Sequence, residues 1–256
     1  MQAPVLRLEN ICKRFGGVVT AENVSFELHA GQILGLIGPN GAGKTTMLNL
    51  ISGIYAQDSG KIFLNATDVS RMPAYRRARM GLARTFQSPR FLQKSTIQDN
   101  LYLGTDLGEQ LGYWKSFLGR RTLNFREEVR ELMRLAHIDI DWAAPITSIP
   151  YGTLKLMEIV RAMLEKPRIM LVDEPAAGLN SQEIEYAVAL LREAADRRGI
   201  GVILIEHSME MVMNICNDII VLNFGRIIAQ GKPEEVSSDP AVIEAYLGTE
   251  ETACAG

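Results

Sequence analysis

Apolar and polar residues alternate in two stretches near the N-terminus, at residues 5–8 and 24–28. A period of two predicts half-buried β-strands, because successive strand side chains point to opposite faces. Residues 32–37 form a denser apolar run, which predicts a buried strand, and residues 62–64 predict a further short one. A helix is expected at residues 45–51. The first part of the chain is therefore predicted to be rich in β-structure.

A different pattern follows. Between about residues 89 and 149 the sequence is mainly helical in pattern, and four apolar residues fall on one helical face: Val129, Leu132, Met133 and Ala136. Apolar runs at 169–172 and 202–205 then predict two buried parallel strands, joined by a crossover helix at about 181–198. We predict an α/β fold whose parallel-sheet core is interrupted by an inserted helical subdomain.

Length and composition fit one domain. The chain has 256 residues, 47% of them hydrophobic, and a net charge of −3, which gives no electrostatic footprint for nucleic acid. The three cysteines show neither metal-binding nor redox spacing. We expect a core formed by residues 1–88 and 156–232, a helical insert at 89–155 and a C-terminal tail at 233–256.

No apolar stretch is long enough to cross a bilayer, and the N-terminus lacks the apolar region of a signal peptide. We therefore expect any membrane role to come through a partner protein.

A glycine-rich loop lies between the predicted strand at 32–37 and the helix after it. It matches G-x-x-x-x-G-K-[ST] in full, with Gly38, Pro39, Asn40, Gly41, Ala42, Gly43, Lys44 and Thr45. In such a loop backbone N–H groups surround the phosphates, Lys44 reaches the β- and γ-phosphates, and Thr45 binds Mg²⁺. The loop predicts nucleotide binding but does not separate a kinase, a GTPase and a transport motor.

Acidic residues end the next predicted strands. Asp173 and Glu174 follow the run at 169–172, so Asp173 is expected to face Mg²⁺ while Glu174 orients the attacking water. Without the phosphate loop, two solvated acids would be the simpler interpretation. The second run ends in Glu206 and His207, where a histidine either contacts the γ-phosphate or is structural.

Taken together, these motifs resemble the nucleotide-binding subunit of ABC transporters over nearly the whole chain. The resemblance implies a P-loop NTPase (RecA-like) core with an antiparallel β part, and ATP and Mg²⁺ as ligands. It implies that Phe15 stacks on adenine, that Gln87 reaches Mg²⁺ and the water, and that His207 is the switch histidine. The ATP contacts it implies are Phe15, residues 38–46 including Thr46, and Tyr151 and Gly152; the metal contacts are Thr45, Gln87 and Asp173.

The signature segment departs from the family pattern. The usual Leu-Ser-Gly-Gly-Gln is replaced by residues 149–153, in which Pro150 supplies neither a hydroxyl nor an N–H. In the family this segment contacts the ATP of the opposite subunit. Asn180 replaces the more usual aspartate of the D-loop, and with Glu183 it is also expected to cap a helix.

Local strings resemble one branch, the LivG-type ATPases of branched-chain amino acid importers. They include residues 39–46, 81–87, 173–180 and the Ala-Tyr-Leu-Gly string at 245–248. The branch implies two transmembrane permease subunits, a second and usually different ATPase chain, a periplasmic solute-binding protein and a place at the cytoplasmic face of the inner membrane. Related urea, amide or lipopolysaccharide systems, an ABC-type ATPase without a membrane partner, and a small-molecule kinase remain alternatives.

Three weaker patterns have competing interpretations. Six arginines and no acid lie between residues 71 and 90, which fits either a partner-facing or lipid-facing patch or a solvated helix face with local caps. Residues 107–126, with Trp114 and Phe117, fit a partner-contacting insert or a loop. The helical stripe of Met209, Val212, Met213 and Cys216 predicts core packing.

Overall fold

The computed structural model describes residues 3–102, 120–139 and 141–253 of the chain. Its strands are β1 (Leu6–Phe15), β2 (Val18–Leu28), β3 (Ile33–Ile37), β4 (Ser59–Leu64), β5 (Thr67–Asp68), β6 (Leu82–Arg84), β7 (Ile169–Asp173), β8 (Gly201–Ile205), β9 (Asp218–Asn223) and β10 (Arg226–Gly231). Its α-helices are α1 (Lys44–Ser52), α2 (Ala74–Arg79), α3 (Ile97–Tyr102), α4 (Arg120–Leu135), α5 (Tyr151–Leu164), α6 (Ser181–Arg192), α7 (Met209–Ile215), α8 (Pro233–Ser237) and α9 (Pro240–Ala253).

A six-stranded sheet with the order β10-β9-β3-β8-β7-β6 forms the centre of the fold. All its neighbouring pairs are parallel except β9 with β10. Both faces of β3 are buried: Ile33 and Ile37 belong to one hydrophobic core, and Leu34 and Leu36 to the other. This explains the unbroken apolar runs in the sequence, because a parallel sheet is covered on both sides. The predicted parallel core is confirmed.

A second, antiparallel sheet has the order β2-β1-β4-β5 and covers one of these cores. Its first two strands are longer than the alternation at residues 5–8 and 24–28 predicts. The pairing of β1 with β2 shifts register after Leu8, Ile11 and Lys13. Each irregularity breaks the two-residue period, because the bulge adds an unpaired residue. The antiparallel part is confirmed and extends to the hairpin between Phe15 and Val18.

Helices cover the other core. The apolar face predicted at Val129, Leu132, Met133 and Ala136 is buried there. Helix α6 starts as predicted but ends at Arg192, and residues Glu193–Arg197 continue it as a π-helix. This wider turn, marked by a bond from the Arg198 N–H to the Glu193 carbonyl, leaves both Ala194 and Ala195 buried. The predicted α-helix to residue 198 is thus corrected in its last turns.

The arginine-rich stretch is not one surface patch. Arg77 is 1% exposed and donates to the carbonyl oxygens of Leu50 and Ile51 at 2.7 and 2.9 Å, so it caps the C-terminal end of α1. Arg84 is also turned inward. Arg77 fits neither interpretation, because its side chain is buried rather than solvated and the helix it caps is α1, not its own helix α2. Trp114 and Phe117 lie outside the described residues.

Core packing is confirmed for Val212 and Cys216, whereas Met209 is 37% exposed. In the segments with assigned structure, no helix has both the length and the apolar character that a bilayer crossing demands.

Candidate nucleotide-hydrolysis site

The glycine-rich loop joins β3 to α1, as predicted. At two of its positions no residue with a side chain would fit. Gly38 has φ +148°, and a Cβ there would lie 2.0 Å from the carbonyl oxygen of Leu222. Gly43 has φ +104°, and its Cβ would lie 2.3 Å from the carbonyl oxygen of Thr20. Only glycine tolerates both the backbone angle and this approach. The loop therefore packs closely against the end of β9 and against β2.

Lys44 opens α1 and points back into the loop. Its Nζ donates to the carbonyl oxygens of Gly38 and Pro39 at 2.7 and 3.0 Å, and the residue is 7% exposed. Burial lowers the pKa of Lys44, while the charges of Glu174 and Asp173 raise it. The ammonium thus occupies the loop and lies in the field of two carboxylates at the end of β7.

Asp173 ends β7 and is 5% exposed. Burial raises its pKa, whereas Arg84, whose guanidinium lies 3.5 Å from Oδ2, lowers it. Arg84 also donates to Asn49 and Ser52 of α1 at 2.7 and 3.1 Å. It therefore ties the end of α1 to the strand that carries Asp173. Sequence reasoning did not single out this role of Arg84.

The predicted metal contacts are oxygen donors: the carboxylate of Asp173, the hydroxyl of Thr45 and the side-chain amide of Gln87. Among the described residues, no group of three or more His, Cys, Asp or Glu side chains could hold a metal ion by itself. This donor set fits Mg²⁺, which is usually held by one or two carboxylates together with waters and substrate phosphates.

Glu174 lies just past the end of β7, and its two carboxylate oxygens have different partners. Gln87 Nε2 donates to Oε2 at 2.8 Å, and His207 Nε2 lies 2.9 Å from Oε1. The structure thus brings together Glu174, Gln87 and His207, which the sequence analysis identified separately. They meet because β6, β7 and β8 are parallel neighbours whose carboxyl ends share one edge of the sheet.

Glu206 is a further residue of the site, for which the sequence pattern alone indicated no role. Its carboxylate is 5% exposed and accepts from the backbone N–H groups of Ala176, His207 and Ser208 at 2.6, 2.9 and 3.3 Å. It joins the loop after β7 to the loop after β8. Its position directly after the apolar run at 202–205 was the available signal, since Asp173 and Glu174 follow their strand in the same way.

Phe15 ends β1 and remains 42% exposed. Its ring makes an edge-to-face contact with Tyr55, with 5.2 Å between centroids, and Lys13 Nζ lies 5.1 Å from its centroid. Phe15 is not a core residue, because the ring keeps a solvent-facing side. A partly exposed aromatic ring offers apolar surface to a planar base.

We expect Phe15→Ala to weaken ATP binding about five- to hundredfold, because stacking of a base on an aromatic ring contributes about 1–3 kcal/mol. Equilibrium binding of ATP measures this. Phe63→Ala is the matched control: Phe63 lies in β4 of the same sheet and stacks under Arg7 at 4.4 Å. Equal losses in both variants would contradict an adenine-stacking role for Phe15.

The signature segment forms the start of a helix rather than the loop before it. Helix α5 begins at Tyr151, and Pro150 is its N-cap with φ −58° and no side-chain capping bond. Tyr151 packs against Gly178, and Gly152 lies so close to Glu183 that a Cβ would be 2.1 Å from Oε1. The neighbours of Tyr151 and Gly152 are thus in the segment after β7.

Asn180 forms a capping box with Glu183, as predicted. The Asn180 side chain accepts from the Glu183 N–H at 3.0 Å, and the Glu183 side chain accepts from the Asn180 N–H at 2.9 Å. The start of α6 is thereby fixed beside the signature segment.

The C-terminal helix also reaches the phosphate loop. Tyr246 in α9 packs against the larger hydrophobic core. Burial raises the pKa of Tyr246, and a hydrogen bond from the backbone of Gly38 lowers it. The tail is thus in contact with the first glycine of the loop, a contact that the sequence motif Ala-Tyr-Leu-Gly did not reveal.

Comparison with known proteins agrees with this geometry. The ABC transporter family model matches residues 21–177, and the model of the branched-chain amino acid ATP-binding cassette transporters matches residues 226–252. The high-affinity branched-chain amino acid transport ATP-binding protein BraF of Pseudomonas aeruginosa is 34% identical, covering 97% of this chain and 99% of its own. LivG of Escherichia coli, with the same description, is 36% identical over the same shares.

Among solved structures, the ATP-binding cassette MJ1267 of an ABC transporter, in its ADP conformation, matches with a TM-score of 0.81 at 29% identity. The match covers 96% of this chain and all of that one. The family models, the full-length relatives and the fold agree with one another. The chain belongs to the family of ATP-binding subunits of ABC transporters, which are ATPases.

Proposed function

We propose that this chain binds and hydrolyses ATP to drive the import of branched-chain amino acids, at the cytoplasmic face of the inner membrane. The observation that carries the hydrolytic part is the Glu174 carboxylate, held between Gln87 and His207 next to the phosphate loop. The solute is inferred from the descriptions of the relatives and from the family model that matches the C-terminal residues 226–252.

The residues of the loop bind the triphosphate. Backbone N–H groups of the loop surround its oxygens. Lys44 exchanges its two loop carbonyls for the β- and γ-phosphates. Thr45, Asp173 and Gln87 would hold Mg²⁺, which would supply charge neutralisation at the phosphates. Phe15 stacks on adenine.

Hydrolysis depends on the residues at the ends of β7 and β8. Glu174 orients the attacking water and accepts its proton as the water attacks the γ-phosphate in line with the leaving oxygen. Gln87 and His207 hold the carboxylate by its two oxygens, so it keeps one orientation. His207 is half exposed, which leaves its ring accessible to the γ-phosphate.

A second ATPase chain completes the site. We infer that Tyr151 and Gly152, at the N-terminal end of α5, contact the ATP held by that partner, since backbone N–H groups at a helix start bind anions. We further propose that two transmembrane permease subunits bind this chain and that a periplasmic binding protein delivers the solute to them.

Pro150→Ser should raise ATP turnover about tenfold. Serine restores a hydroxyl and an N–H at the N-cap of α5, and one hydrogen bond to a charged group is worth about 1.5–3 kcal/mol. The change would also add a helix cap worth about 1 kcal/mol. Steady-state ATPase assays check this. Pro145→Ser is the control, because Pro145 precedes only a 3₁₀ turn (Ile146–Ser148) and also lacks a side-chain cap; an unchanged rate for Pro150→Ser would show that the site is compensated elsewhere.

Co-purification with two membrane subunits, followed by ATPase assays with the binding protein and leucine, tests the proposed function. Leucine should stimulate hydrolysis, while urea and lipopolysaccharide should not. Stimulation by urea or lipopolysaccharide instead would show that the chain belongs to a related transport system with a different solute. Failure to associate with any membrane subunit would favour an ABC-type ATPase without a membrane partner.

A further inference from the structure

A buried lysine connects the signature helix to the backbone of Glu174. Lys155 lies in the second turn of α5, is 3% exposed, and donates from Nζ to the Glu174 carbonyl oxygen at 2.8 Å. Lysine is rarely buried, because removing an ammonium from water is costly. Burial lowers the pKa of Lys155, and carboxylates raise it, in the order Glu158, Glu206, Glu174 and Asp173. The ammonium is therefore placed among the acids of the hydrolytic site.

The carbonyl that Lys155 holds belongs to a strained residue. Glu174 has φ +49°, a region that residues other than glycine rarely adopt. It also precedes Pro175, whose ring further restricts the backbone of the residue before it. Such a conformation persists only when its surroundings hold it.

Hydrogen bonds hold the Glu174 backbone from both sides. Its N–H donates to the carbonyl oxygen of Ile205 at 2.9 Å, which fixes it to β8. Its carbonyl oxygen accepts from Lys155 at 2.8 Å and from the Ala177 N–H at 3.3 Å. Lys155 provides the shorter of these two bonds and the one that carries a charge, which is the stronger type.

We propose that Lys155 is a positioning residue for hydrolysis, which fixes the backbone of Glu174 so that the carboxylate faces the attacking water. This inference rests on the proposed role of Glu174. Because α5 begins at Tyr151, the proposed contact with the partner's ATP lies one turn from Lys155, so the same helix connects the partner's nucleotide to this chain's carboxylate.

The next turn of α5 has a parallel contact. Glu158 is 1% exposed, and its Oε1 accepts from the backbone N–H of Phe86 at 3.3 Å, directly before Gln87. Helix α5 therefore contacts the backbone of Glu174, which carries the hydrolytic carboxylate, and the backbone next to Gln87, which holds that carboxylate. A displacement of α5 would alter Glu174 and Gln87 together.

Lys155→Met removes the donor and keeps an unbranched side chain. We expect kcat of the full chain to fall about ten- to hundredfold, with the Kd for ATP changed less than about twofold. Lys155→Arg should recover most of the rate, because it restores a charged donor. Lys155→Gln, which keeps a neutral donor, should lie between, and serves if the Met variant does not fold. Lys166→Met, at a side chain that is 71% exposed, is the control and should change neither value.

A double variant separates positioning from general damage. If Lys155 acts through Glu174, adding Lys155→Met to Glu174→Gln should lower the rate less than about twofold further. An unchanged kcat for Lys155→Met, or an equal fold loss in both backgrounds, overturns the positioning role. A near-normal rate for Glu174→Gln alone overturns the proposed function of Glu174 instead. That single variant keeps Lys155, so the two failures can be told apart.

Discussion

Glu174→Gln is expected to lower the rate of ATP hydrolysis about 100- to 10,000-fold while ATP still binds. Removing a positioned proton acceptor costs a reaction about this factor. The amide keeps the size of the side chain and leaves the phosphate loop untouched, so affinity for ATP is retained. Because hydrolysis no longer follows binding, the ATP-bound dimer should accumulate. Single-turnover hydrolysis and size-exclusion chromatography with ATP measure both effects.

Gln98→Glu, in α3, serves as a control for a charge change outside the site. Its hydrolysis rate should equal that of the unmodified chain. Near-normal hydrolysis by Glu174→Gln would contradict the assignment of Glu174. Loss of ATP binding in that variant would show that Glu174 acts on the ground state rather than on the attacking water.

Gly38→Ala should have the second largest effect. The new methyl would lie 2.0 Å from the carbonyl oxygen of Leu222, at a φ of +148°. Strain and overpacking together should lower the free energy of unfolding by about 2–6 kcal/mol. The displaced loop would also lose at least one N–H to the phosphates, which weakens ATP binding about ten- to hundredfold. Urea unfolding and equilibrium ATP binding measure the two losses.

Gly41→Ala is the matched control for stability. Gly41 has φ +80°, but a Cβ there would have no heavy atom within 4 Å. Only the left-handed backbone is then penalised, at about 1–2 kcal/mol. If Gly38→Ala and Gly41→Ala lose equal stability, the close approach of Gly38 to Leu222 does not constrain the loop.

The parallel core could be predicted because both faces of its strands are buried. The runs at 169–172 and 202–205 have no polar residue to interrupt them. By contrast, β1 beyond Leu8 was missed, because three shifts in its pairing with β2 break the alternation. The short strand β6 (Leu82–Arg84) and the hairpin of β9 and β10 were also not predicted. Three residues are too few to show a period.

The sequence does contain a signal for the hairpin of β9 and β10. Residues 219–222 are an apolar run, and Asn223, Phe224 and Gly225 follow before a second apolar stretch. Phe224 and Gly225 have positive φ values of +45° and +78°, as a tight turn requires. This turn matters for the site, because Gly225 donates to the carbonyl oxygen of Ala42 at 3.0 Å in the phosphate loop.

Residues of the site were predictable where their chemistry follows a strand or a motif. Asp173, Glu174 and His207 each lie at or just after the end of an apolar run, and Lys44 belongs to the loop motif. Lys155 gave no such signal. It lies on a helix among apolar neighbours, and only tertiary packing brings its ammonium to the backbone of Glu174. A contact to a backbone atom does not depend on the type of the residue that is contacted, so the sequence does not reveal it.

The most direct test of the proposed ATP-hydrolysis site is a structure of the Glu174→Gln variant with ATP and Mg²⁺. We expect the phosphates to lie along residues 38–46, with Lys44 Nζ moved from the carbonyls of Gly38 and Pro39 to the β- and γ-phosphates. The side chain at position 174 should face the γ-phosphate across a water. ATP bound elsewhere, with Lys44 Nζ still bonded to the carbonyls of Gly38 and Pro39, would contradict the assignment of this site.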